Sequence, residues 1–135
     1  MAERIQLDVI TPERRLLSET VDAVTVPGMN GEIGILPGHT PLISQLQTGV
    51  LSYTQGTTIH RMLVSGGFVE VNDERVSVLA DIAERPDEVD ATQARQEREA
   101  AEKALGSFSG SEEEMTQMRT RLERAAARLE LSSGR

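Results

Sequence analysis

Residue types able to do chemistry are sparse in this chain. It has two histidines, His39 and His60, with strand-like segments between them, and neither has a cysteine or a well-placed serine beside it. Two imidazoles fall short of the three or four protein ligands that a zinc site uses. With no cysteine anywhere, disulfide frameworks and thiolate metal sites are excluded. There is no Gly-x-x-x-x-Gly-Lys phosphate loop. Gly28, Gly31 and Gly34 recur every third residue, but they flank a strand-like run and do not open a helix, which excludes a dinucleotide fingerprint. Two features remain. One is Pro27-Gly28-Met29-Asn30-Gly31-Glu32-Ile33-Gly34-Ile35-Leu36-Pro37-Gly38-His39-Thr40-Pro41-Leu42, which places Gly31 and Glu32 at a hairpin tip and His39 on a rigid turn. The other is the arginine-rich tail, with Arg119, Arg121, Arg124, Arg128 and Arg135 against Glu123 and Glu130. Arg124 and Arg128 share one helical face, a row suited to an acidic partner. The plainer reading is cationic charge near a helix C-terminus, with Arg119 and Glu123 as an i,i+4 pair.

Those residues must be positioned by elements, and the elements divide the chain in two. Up to Ala83 the apolar residues alternate: Ile5, Leu7, Val9; Val24, Val26; Val76, Val78, Ala80. Turn signals recur at Thr11-Pro12, Pro27-Gly28, Asn30-Gly31, Pro37-Gly38, Gln55-Gly56, Gly66-Gly67 and Asn72-Asp73. Short strands with regular turns predict an all-β sandwich over residues 1–85, with a hairpin at Asn72-Asp73. Pro86 ends the strands, and residues 86–90 read as a linker. Asp90 with Gln93, and Ser111 with Glu114, are capping-box pairs that open two helices, the first to about Leu105 and the second to about Leu131. The fold class is therefore an N-terminal β-sandwich followed by an antiparallel two-helix hairpin over residues 91–135. Met115, Met118, Leu122, Ala125 and Leu129 form a heptad stripe on the second helix. The first helix offers mainly Ala91, Ala94, Ala101 and Ala104, so the hairpin is expected to be weakly held.

Composition bounds the partners. The 135 residues carry a net charge of −8, with six arginines against thirteen acidic residues in residues 1–88. That surface argues against general nucleic-acid binding. The only aromatics are Tyr53, Phe68 and Phe108, so the core must be aliphatic. No run approaches the roughly 18 apolar residues that span a bilayer, and the N-terminus has no signal-like apolar segment.

The Gly31-Glu32-Ile33-Gly34 strand followed by Pro37-Gly38-His39-Thr40-Pro41-Leu42 resembles the signature of epsilon subunits of F-type ATP synthases. So do Leu7-Asp8-Val9-Ile10-Thr11-Pro12-Glu13-Arg14, Ser65-Gly66-Gly67-Phe68-Val69-Glu70-Val71 and Val76-Ser77-Val78-Leu79-Ala80-Asp81-Ile82-Ala83-Glu84-Arg85, in the family's order. The resemblance implies a non-catalytic rotor subunit that links the gamma shaft to the ring of c subunits. Its C-terminal helices would press against the catalytic alpha and beta subunits and restrain ATP hydrolysis. It would be peripheral on the cytoplasmic face of a bacterial inner membrane or a thylakoid-type membrane, with no span of its own. By the same resemblance Gly31, Glu32 and His39 are ring-contact candidates, although His39 also suits a structural turn. Arg121, Arg124 and Arg128 are inhibitory-contact candidates. Some bacterial members bind ATP with the hairpin folded, through an Ile/Leu-Asp-x-x-Arg-Ala motif and two later arginines. Asp90, Arg124 and Arg128 match, but Gln93 stands where the motif has arginine, which implies weak ATP binding and no other cofactor. A second reading, from another class, is a free-standing sensor of a nucleotide or small anion; the Gln93 departure counts against it.

Overall fold

The computed structural model describes residues 3–133; Arg135 of the tail lies outside them. Eight strands come first: β1 Ile5–Ile10, β2 Arg15–Val21, β3 Ala23–Gly28, β4 Gly31–Ile35, β5 Leu42–Gln45, β6 Gly49–Gln55, β7 Thr58–Val71 and β8 Arg75–Glu84. They form one sheet in the order β2-β1-β8-β7-β6-β3-β4, with β5 added on β7. The sheet folds over on itself into the expected sandwich. β7 makes this possible because it is 14 residues long. Its first half pairs with β6 and its last residues pair with β5 on the same edge, while β8 runs along the other edge. The Asn72-Asp73 hairpin joins β7 to β8, with Asn72 Oδ1 accepting from the amides of Glu74 and Arg75.

The alternating residues behave as strand periodicity dictates. Ile5, Leu7, Val9, Val24, Val26, Val76 and Val78 are all buried in an aliphatic core, joined by Met62 and the ring of Tyr53. Along β7 the rule changes part-way. Met62 and Val64 face this core, and so do Val69 and Val71, which lie on the opposite parity. The change occurs at Gly66 and Gly67, whose φ angles are +73° and +94°. A side chain at Gly67 would collide with the Leu79 carbonyl, and one at Gly66 with the Asp81 carboxylate. Glycine supplies both the left-handed backbone and the close approach. β8 changes parity in step: Val76, Val78 and Ala80 are core, then Ala83.

After β8 a 3-10 turn, Pro86–Glu88, leads to α1 Ala91–Gly106 and α2 Glu112–Ser132, each one residue longer than the sequence predicts. Asp90 caps α1 by accepting from the Gln93 amide at 3.0 Å. Ser111 and Glu114 form a full box, Glu114 N to Ser111 Oγ at 3.1 Å and Ser111 N to Glu114 Oε1 at 3.4 Å. The helices pack mainly on each other, and it is chiefly α2 that touches the strands. The apolar seal between hairpin and sandwich is small. Leu63, Ala127 and Leu131 are its buried members, with Val50, Ile82 and Val89 partly buried around them. The heptad stripe from Met115 to Leu129 is thus not the docking face; Ala127 and Leu131 lie off it.

Candidate functional site

The seam between α2 and the sandwich is where charged side chains gather. Arg124 and Arg128, one helical turn apart, both reach the strands. Arg128 holds Glu84, the last residue of β8, in a fork: Nε donates to Oε1 and Nη2 to Oε2, each at 2.9 Å. Its Nη1 donates to Glu97 of α1 at 3.4 Å. Both partners of the fork are largely shielded, with 22% and 24% of their side chains exposed. The Glu84 hydrogen bonds hold the Arg128 guanidinium above its ordinary pKa, and its partial burial does not cancel that. Arg124 donates from Nε to Ser65 Oγ at 2.7 Å. Ser65 is a buried hydroxyl on the outer side of β7, and it also bonds Thr48 Oγ1 at 2.7 Å.

Two hollows of opposite character flank this seam. The first, about 220 Å³, is lined by Asp90, Gln93 and Arg128 together with Glu84, Glu88 and Glu97. The structure therefore unites Asp90 and Arg128 of the sequence-derived nucleotide set, but not Arg124. Four carboxylates face one guanidinium already engaged by two of them, and the Asp90 carboxylate is spent on the helix cap. A triphosphate would meet net negative charge there. The second hollow, about 430 Å³, brings Arg121, Arg124 and Arg128 together beside Thr116, Gln117 and Thr120, with no carboxylate in its lining. The hydroxyls of Thr116 and Thr120 bond back to helix carbonyls.

The linker is not slack. Arg14 Nη1 lies 2.7 Å from Glu88 Oε2, and Arg85 donates both its amide to Glu88 and its side chain to the Leu16 carbonyl. Hydrogen bonding to Arg14 and to the Arg85 amide holds the Glu88 carboxyl below the usual range. The chain is tied to the sandwich up to Glu88, which leaves Val89 and Asp90 as the root of the hairpin.

The ring-contact candidates are not brought together. The β3–β4 turn is Met29-Asn30; Gly31 and Glu32 open β4, opposite Gly28 and Pro27. Both are exposed, as is Met29 at 48%. His39 follows the other end of β4. Its turn is anchored to the β7–β8 turn by the bond from Gly38 N to the Asp73 carbonyl at 3.0 Å. The His39 ring is satisfied locally, Nδ1 donating to the Thr40 carbonyl at 2.6 Å. His39 is thus held at the opposite end of β4 from Glu32. His60 stacks on Tyr53 across the β6–β7 pair, with ring centroids 4.8 Å apart, and so belongs to packing. Among the described residues no group of three His, Cys, Asp or Glu could hold a metal ion, and no helix is long and apolar enough to cross a membrane.

Sequence reasoning passed over Glu84, Ser65, Glu97, Leu63 and Leu131. One signal was available. The run Met62-Leu63-Val64 breaks the alternation, as it must where a strand is covered on both faces.

The beta-sandwich domain model of the ATP synthase Delta/Epsilon chain matches residues 4–86. The chain belongs to this family. An ATP synthase epsilon chain of Syntrophobacter fumaroxidans is 42% identical over 132 residues, 98% of either chain. One from Desulforamulus reducens is 43% identical over 129 residues, 96% of this chain and 97% of that one. Among solved structures, a chain of the Euglena gracilis mitochondrial ATP synthase, in an OSCP/F1/c-ring assembly, superposes with a TM-score of 0.82 at 28% identity, covering 96% of this chain and 81% of that one. A chain from the central stalk and c-ring of the Tetrahymena thermophila mitochondrial enzyme, TM-score 0.68 at 14% identity, covers 96% and 97% and shares the fold. The family model covers the sandwich, and the likeness to these epsilon chains extends through the hairpin.

Proposed function

We propose that this chain is a non-catalytic subunit of the rotating central stalk of a proton-translocating F-type ATP synthase. The sandwich ties the gamma shaft to the ring of c subunits, and the helical hairpin restrains ATP hydrolysis. The observation that carries this is the correspondence of the whole chain, sandwich and hairpin together, to epsilon chains of about 40% identity. Torque and restraint are mechanical tasks, which agrees with a chain whose polar clusters are ion pairs and caps.

Three surfaces suit three partners. The outer face of β5, β7 and β8 exposes Ile43 at 69%, Phe68 at 48% and Leu79 at 43%, with Phe68 paired directly to Leu79. An apolar stripe of this kind suits a permanent partner, and we assign it to the gamma subunit. The Met29–Glu32 turn is the contact for the polar loops of the c-ring. Arg121, Arg124 and Arg128 supply the cationic face for acidic segments of the catalytic alpha and beta subunits. In that assembly the subunit is peripheral, on the side of the membrane where the catalytic subunits sit: the cytoplasmic face of a bacterial inner membrane, or the corresponding face of a thylakoid-type membrane. A free-standing anion sensor is disfavoured by the four carboxylates around the Asp90 hollow.

The test is ATP hydrolysis by the assembled complex. Replacing Arg121, Arg124 and Arg128 by Ala, or removing residues 90–135, raises the hydrolysis rate, and added salt raises it for the wild type. Equal rates for all three complexes would reduce the hairpin to a structural appendage.

A further inference from the structure

The β3–β4 turn carries chemistry of its own. An asparagine carboxamide can be attacked by the backbone nitrogen of the next residue, and glycine in that place puts no Cβ in the way. The chain has two asparagines, Asn30 before Gly31 and Asn72 before Asp73. They are held differently. Asn72 Oδ1 accepts from the amides of Glu74 and Arg75 at 2.9 and 2.8 Å, which commits its carboxamide to the β7–β8 turn. The Asn30 carboxamide makes no hydrogen bond to any described residue. Asn30 and Gly31 are both exposed. Gly31 has a φ of +118°, and nothing lies within 4 Å of where its Cβ would stand. We propose that Asn30-Gly31 is a site of spontaneous, backbone-assisted deamidation, a modification that makes the tip of this turn more acidic.

The Gly31 nitrogen gives its proton to hydroxide and attacks Asn30 Cγ. The new N–Cγ bond closes a five-membered succinimide, the Cγ–Nδ2 bond breaks, and Nδ2 leaves as ammonia. Water then opens the ring. Its addition at Cγ gives an aspartate at position 30. Its addition at the main-chain carbonyl carbon gives an isoaspartate, with the backbone rerouted through Cβ and Cγ. Either product adds a negative charge beside Glu32. The isoaspartate also lengthens the main chain of a turn that has only Met29 and Asn30 between the paired Gly28 and Gly31. The damage stays at the tip, because the Gln47 amide donates to the Pro27 carbonyl at 2.9 Å just below it. Where the turn meets the polar loops of the c-ring, the added charge and the altered turn weaken that contact, and a seated ring shields the turn. Modified chains therefore accumulate outside the assembled rotor. This consequence rests on the function proposed above; the reaction does not.

The test follows both asparagines in the full-length chain, folded and in urea, at physiological temperature and at neutral and mildly alkaline pH. Peptide mass reads the conversion, and isoaspartyl methyltransferase labelling reads the isoaspartate. Dividing each folded rate by that of the same asparagine in urea leaves only the effect of structure. Asn30 should keep its unfolded rate within about tenfold, because an exposed turn tip opens at little cost. Asn72 must first release two amides and should be slowed at least about tenfold more. The Asn30 rate should rise with pH, and Asn30→Gln, which must close a larger ring, should remove the signal. An Asn30 as protected by the fold as Asn72 would overturn the site. For the consequence, an aged chain should co-purify with the c-ring less than a fresh one, at an unchanged melting transition. An aged Asn30→Gln chain should behave as fresh. Conversion with undiminished ring association, or with a lowered melting transition, would establish the modification and overturn its effect on the contact.

Discussion

Asp8 shows how one residue can be both buried and charged. It sits at 5% exposure on β1 and accepts from Ser18 Oγ at 2.7 Å, Gln6 Nε2 at 3.2 Å and Arg75 Nη1 at 2.8 Å. Burial alone would raise its pKa. The hydrogen bonds from Ser18 and Gln6, with the charges of Arg75 and Arg15, outweigh burial and hold the carboxyl below the usual range. An unfolded Asp titrates near 3.9, above the folded value. The stabilisation from Asp8 is thus complete above about pH 5 and is lost as pH falls through the folded pKa. Urea unfolding at neutral pH and near pH 3 should show Asp8→Asn less stable at neutral pH, with a smaller loss on acidification than the wild type. Asp8 was in plain view in the sequence, but two of its partners, Ser18 and Arg75, lie on β2 and β8. Only strand pairing brings Ser18 and Arg75 to it, so its role was not legible there.

At the scale of elements, the hairpin is held by few groups, and each should count. Leu131→Ala removes the largest α2 side chain from the seal and should cost docking about 2 kcal/mol, at the low end for a buried leucine. Hydrogen exchange should then quicken in α1 and α2 while the β7 and β8 amides keep their protection. A fragment of residues 1–88 should still unfold as one cooperative β-rich unit, because the main core contains no helix residue. A non-cooperative melt would mean that the sandwich depends on its hairpin. The strands, both helices and both caps could be read from period and punctuation, since these are local signals. The docking face could not. The heptad stripe is the stronger pattern, and it points α2 toward α1, while Ala127, Leu131 and the two arginines become a face only when Leu63 and Glu84 are opposite them.

For the whole molecule, the assigned partner residues belong to different elements, Phe68 to β7, Glu32 to β4 and the arginines to α2. Phe68→Glu should weaken co-purification with the gamma subunit, and Glu32→Lys should weaken association with the c-ring. Both positions are exposed, so neither should shift the melting transition by more than a degree or two. If Glu32→Lys unfolds the sandwich instead, the residue is structural. The carboxylate-lined hollow at Asp90 predicts an isolated chain with little affinity for ATP, well above micromolar Kd by calorimetry. Gln93→Arg alone should not restore tight binding, because Glu84 and Glu97 still claim Arg128. The Gly31–Glu32 and His39 features were legible as turns. Their separation was not, because it depends on β4 lying between them and on the Gly38–Asp73 bond.

The parity change at Gly66 and Gly67 makes β7 behave like a message with a reading frame. Upstream of it, the odd positions Leu63 and Ser65 address the hairpin; downstream, the even positions Phe68 and Glu70 look out from the other half of the sheet. One residue gained or lost there would put every later side chain out of frame, sending Val69 and Val71 to solvent and Phe68 and Glu70 into the core. β8 would have to shift by the same step, since its partners keep one register across the change, from Ser65 with Ile82 to Phe68 with Leu79. Substitution can therefore tune either half of the strand separately, but its length can drift only if both strands are edited together.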